Sequence, residues 1–126
     1  MERLSEAERR IARTMLIKQF GSGTLFLDQL AEARVEERRL TGVGIFVELA
    51  VPPIVAPIDR VNATITAVYE TTLRSPCDLV GFALFIRDGF LSLLEGYTFC
   101  DAIWPDQPLE DWLKIAQVEP VALRVG

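Results

Sequence analysis

Apolar positions recur in this chain first at intervals of three and four and later at every second residue, so helices are expected early and strands afterwards. Leu4, Ala7, Ile11 and Met15 share one side of a helical period, and Ser5 with Glu8 has the spacing of a capping box, which predicts a helix over residues 5–18. Gly21 and Gly23 end it. Thr24 then caps a shorter helix from residue 25 to about 33, with Phe26, Leu30 and Ala33 on one side. Carrying that helix further would bring Glu37 into the apolar stripe, so residues 34–40 are read as a charged edge strand.

Thr41-Gly42-Val43-Gly44 supplies a turn, after which Ile45, Val47, Leu49 and Val51 alternate with Phe46, Glu48 and Ala50. Pro52, Pro53 and Pro57 hold an extended apolar loop containing Ile54, Val55 and Ile58, set against the protein's own core or against a partner. A further alternating strand covers residues 61–71, and Pro76-Cys77 marks a turn. The strongest local signal follows: Asp88-Gly89 between two runs of β-formers predicts a two-residue hairpin over residues 82–95. A regular register pairs Arg87 with Phe90, Ile86 with Leu91, Leu84 with Leu93 and Phe82 with Glu95, setting Glu95 on the face of Leu91 and Leu93. Both faces of this hairpin are largely apolar, so it is expected at the centre of the sheet with a helix on one side. Residues 96–108 are turn-rich and aromatic; residues 109–115 suit a short helix and 115–125 a last strand.

These elements define an α+β fold, with one or two N-terminal helices packed on an antiparallel sheet of about four to six strands. With 126 residues and no internal repeat or linker, a single domain spanning 1–126 is expected. The formal charge of −5 and interleaved Arg and Glu argue against nucleic acid, and against acidic substrates on the same ground. No apolar run is long enough to span a bilayer and the N-terminus is charged, so a soluble cytoplasmic protein with no membrane association is expected. Cys77 and Cys100 read as free thiols, with Cys100 buried and inert. A mean hydropathy of +0.25 is high for a small domain and predicts an apolar surface covered by a protein partner or a second copy, hence a homo-oligomer.

Candidate chemistry is sparse. The chain has no histidine, so neither a Cys–His nucleophile nor a thiolate–imidazole zinc site can be assembled; no metal or other cofactor is expected and no catalytic residue is assigned. The Gly21-Ser22-Gly23 and Gly42-Val43-Gly44 stretches read as turns. The candidate binding residues are Glu95, Tyr97, Asp101 and Trp104. Two carboxylates divide acid and base roles beside an aromatic wall, or Glu95 accepts turn hydrogen bonds or pairs with an Arg while the rings close the core's end. The leading functional reading is an interaction or regulatory module acting through protein binding. The alternative is a small-molecule or acid/base domain using this segment.

Thr41-Gly42-Val43-Gly44 with Phe46, the hairpin pattern Phe82-x-Leu84-Phe85-Ile86-x-Asp88-Gly89, and Leu94-Glu95-Gly96-Tyr97-Thr98-Phe99 near Trp104-Pro105 together resemble small uncharacterised bacterial proteins. The likeness covers about residues 25–105. It implies a shared fold and a bacterial origin, and it carries no activity across.

Overall fold

The computed structural model describes residues 1–72, 79–100 and 102–113. Helix α1 (Glu6–Phe20) begins at Ser5, whose hydroxyl accepts the Glu8 N–H while the Glu8 carboxylate accepts the Ser5 N–H, the reciprocal box its sequence promised. The helix buries Ala7, Ile11, Ala12, Met15 and Leu16. Helix α2 (Phe26–Glu32) sets Phe26 and Leu30 into the same core, with the Thr24 hydroxyl accepting the Phe26 N–H. Burying each Leu, Met or Phe side chain here contributes about 1.5–3 kcal/mol.

The strands are β1 (Glu2–Arg3), β2 (Arg34–Leu40), β3 (Gly44–Ala50), β4 (Ala63–Glu70), β5 (Leu79–Arg87) and β6 (Phe90–Thr98), with a one-turn helix α3 (Leu109–Trp112) after them. They form one antiparallel sheet in the order β1-β2-β3-β6-β5-β4. The β5–β6 hairpin is central, as its two apolar faces require, and both longer helices pack on one side of the sheet. Among the described residues no helix is long and apolar enough to cross a membrane.

Three expectations are corrected. The hairpin turn forms as predicted, with Asp88 and Gly89 both at positive φ, and Arg87 pairs with Phe90 and Ile86 with Leu91. The ladder then shifts: Phe85 faces Leu93, Leu84 faces Leu94, Ala83 faces Glu95 and Phe82 faces Gly96. Ser92 is the extra residue of a β-bulge, and a period-two reading carries no sign of such an insertion. Glu95 therefore shares a face with Leu93 but not with Leu91. Next, β2 is not wholly an edge, because the short β1 pairs with Arg34 and Val35. Last, Cys100 is exposed and disulfide-bonded rather than a buried free thiol. A count of two cysteines says nothing of the Cα separation on which a bond depends, and with that bond the thiols cease to be a ground for a reducing compartment. Cys77 with the Pro76 turn, Asp101 and the proposed last strand over 115–125 lie outside the described residues.

An ion-pair cluster ties the N-terminus to β2. Arg38 donates to both Glu8 oxygens at 2.9 and 2.7 Å and also bonds Glu2. Glu8 is almost fully buried, and its bidentate hydrogen bonding to Arg38 holds that guanidinium firmly charged.

Candidate functional site

Because side chains alternate across a strand, the hairpin and its neighbours β3 and β4 divide their residues between two faces. The face under the helices is closed. Val47, Leu94, Leu84 and Ile65 form one buried row across it, and Phe82, Ala67, Tyr69 and Val80 extend the core beside them.

Trp104 belongs to this closed face. Its ring meets Phe82 edge-on at 6.0 Å and Trp112 at 5.0 Å, and Phe82 in turn meets Tyr69 at 5.6 Å. Gly96 makes room for it, since a Cβ there would lie 2.5 Å from the Trp104 ring and 2.9 Å from Phe82. The backbone is held as firmly. Trp104 N–H donates to Gly42 O at 2.8 Å and Thr98 N–H to Val43 O at 2.9 Å, while the Thr98 hydroxyl lies within bonding reach of Val43 O and Ala102 O. The Thr41–Gly44 turn and the segment from Gly96 to Trp104 thus meet at one end of the sheet. Gly44 and Gly96 both have a steric duty in this contact, since a Cβ on Gly44 would collide with Gly96 O, whereas Gly42 is held by its positive φ.

Glu95 and Tyr97 face the other way. Glu95 stands half-buried between Phe46 of β3 and Ala83 of β5, with Leu93 and Tyr97 beside it on its own strand. Among the described residues its carboxylate makes no ion pair and no side-chain hydrogen bond. The Tyr97 ring lies across Gly81 and meets Phe99 edge-on at 5.6 Å. Burial, and secondarily the Glu95 charge, push the Tyr97 hydroxyl above the usual tyrosine range. Of the candidate residues, then, Glu95 and Tyr97 come together, Trp104 lies on the opposite side of the sheet, and Asp101 is outside the described residues.

What surrounds Glu95 is a partly exposed apolar surface. Phe46, Phe85, Leu93, Tyr97 and Phe99 are all half-buried and none belongs to the core cluster. No described helix covers them. Two arginines lie over its rings, Arg39 at 5.4 Å from the Phe46 centroid and Arg87 at 5.2 Å from that of Phe85. Sequence reasoning noted the two apolar sides of the hairpin, but the roles of Phe46, Phe85 and Arg39 escaped it; the signal was the aromatic residues at alternate positions opposite the buried row. Among the described residues no group of carboxylates and cysteines is arranged to hold a metal ion. No family model, curated protein or solved structure matches the chain.

Proposed function

We propose that this protein is an interaction module that self-associates through the open face of its sheet. The observation that supports the reading is the row Arg39–Phe46–Glu95, three residues paired across three neighbouring strands. Their Cα positions are about 4.8 Å apart, with the aromatic ring in the middle and opposite charges at the ends. A two-fold axis running along β3 through Phe46 lays this row on its own copy, ring on ring, with each Arg39 opposite the other copy's Glu95. Such an isologous contact needs one self-complementary patch, and this row is one. It supplies Glu95 with the cation it lacks among the described residues. The same operator leaves Phe46 at the centre, sets the half-buried Leu93 opposite the other copy's Glu37 and puts Phe85 at the rim.

The same axis brings the Glu48 side chains of the two copies together, so the arrangement carries one like-charge pair. Light scattering across the micromolar range tests the proposal. The wild-type chain is a dimer at tens of micromolar; Arg39→Glu and Glu95→Arg each weaken association at least tenfold; the double swap restores it; Glu48→Gln strengthens it. A wild-type monomer at those concentrations, or a double swap no better than its parents, sinks the proposal.

A further inference from the structure

In sequence α1 sets two acids, Glu6 and Glu8, among Arg9, Arg10, Arg13 and Lys18. In the fold they separate. Glu8 turns inward to Arg38 and is lost to the surface. Arg9, Arg10 and Arg13 remain along a groove of about 610 Å³ between α1 and α2, whose floor is Leu27, Leu30 and Ala31 and whose one acid among the described residues is Glu6. Among the described residues none of these arginines forms an ion pair. Arg9 and Arg13, one helical turn apart, repel each other.

From this we infer that the groove binds a small anion carrying an apolar body, such as an alkyl or aryl phosphate or carboxylate. Three observations converge on that class. The volume lies within the ~300–1,000 Å³ range of small-molecule sites. The floor is aliphatic and suits a hydrocarbon chain. The rim offers planar guanidinium groups that grip phosphate and carboxylate with paired N–H donors. The chain's overall charge of −5 does not oppose this, because at physiological salt a field decays over ~8 Å and the local balance is three guanidinium groups against one carboxylate. Net charge alone disfavours acidic ligands; the inference departs from that expectation because Glu8 faces inward. The groove lies on the helical side, away from the sheet face proposed for self-association, and each proposal has its own readout.

Calorimetric titration of the full chain tests it, with decyl phosphate below its aggregation concentration as probe and inorganic phosphate and decyl maltoside as comparisons. Decyl phosphate binds at least tenfold more tightly than either comparison. The Arg9→Ala/Arg13→Ala variant, whose alanines favour the helix and leave its melting temperature near wild type, loses at least tenfold in affinity. Leu27→Gln loses less. Unchanged binding by the double arginine variant, or equal binding of inorganic phosphate, overturns the assignment. Capture of the protein by phosphatidylglycerol vesicles with no binding of soluble decyl phosphate also overturns it, in favour of a bilayer surface.

Discussion

The two faces of the central hairpin are made by the same strands and carry similar numbers of apolar side chains, yet they end in different states. Under the helices, Phe82, Leu84 and Leu94 are sealed by α1, α2 and the ring stack of Trp104 and Trp112. On the other side Phe46, Phe85 and Leu93 stay half-exposed, with arginines laid over two of the rings. Hydrophobic content therefore does not decide which face is closed. What decides it is the presence of an element long enough to lie on the face: α1 provides one for the inner side, and no described helix provides one for the outer. The apolar surface left over is the part of this molecule most open to function.

Paired substitutions sharpen that contrast. Trp104→Ala empties a site packed against Phe82 and Trp112 and is expected to cost about 3–5 kcal/mol in urea unfolding, whereas Phe85→Ala, measured on dilute monomer, costs under about 1. Equal losses would mean that the outer face is covered as well. The glycines give a finer version of the same comparison. Gly96→Ala drives a methyl group into the buried Trp104 and Phe82 rings, for an expected cost of about 2–3 kcal/mol; Gly81→Ala meets only the Tyr97 ring, which is free to swing toward solvent, and costs under about 1.

Titration separates the faces by a third route. Tyr69, buried against the helices with its hydroxyl donating to Ile11 O, is raised far above the usual tyrosine range by desolvation, and Tyr97 is raised less completely buried. A raised folded-state value means that the native protein holds its phenolic protons more tightly than the unfolded chain, which releases them near pH 10. Their contribution to stability is therefore complete below about pH 10 and is lost as pH climbs toward the folded values. Denaturant midpoints should fall over that interval, and Tyr69→Phe should flatten the fall more than Tyr97→Phe. The smallest effect expected is that of Glu95→Gln. Removing the neighbouring charge lowers the Tyr97 value slightly, by ultraviolet titration, and leaves Tyr69 where it was.

Much of this architecture was legible because local chemistry and tertiary context agree. Ser5 and Glu8 cap α1 as their spacing implies, and Asp88-Gly89 turns the chain where no other dipeptide in the segment could. The failures share a different cause. Ser92 shifts one strand by a residue, and nothing in alternating apolar letters distinguishes a bulged strand from a regular one. Glu8 carries a second role, to Arg38, that depends on a strand thirty residues away. The candidate segment from Glu95 to Trp104 crosses from one side of the sheet to the other within a few residues. Sequence proximity therefore put Trp104 beside Glu95 when the sheet lies between them.

The hairpin turn shows how a local signal becomes a global one. Gly89 N–H donates to Val61 O and Gly89 O accepts from Ile58 N–H, while Asn62 Oδ1 takes the Asp88 N–H. Buried Gln29 donates to Gly89 O at 2.7 Å and accepts the Leu91 N–H at 3.0 Å. Hairpin tips are ordinarily the loops where a peptide tag or a new chain terminus is best tolerated. In this protein such an insertion would unstitch α2 and the proline loop together. The exposed Gly21–Gly23 link between the helices, where an added Cβ at either glycine meets nothing within 4 Å, is the place to open or label the chain.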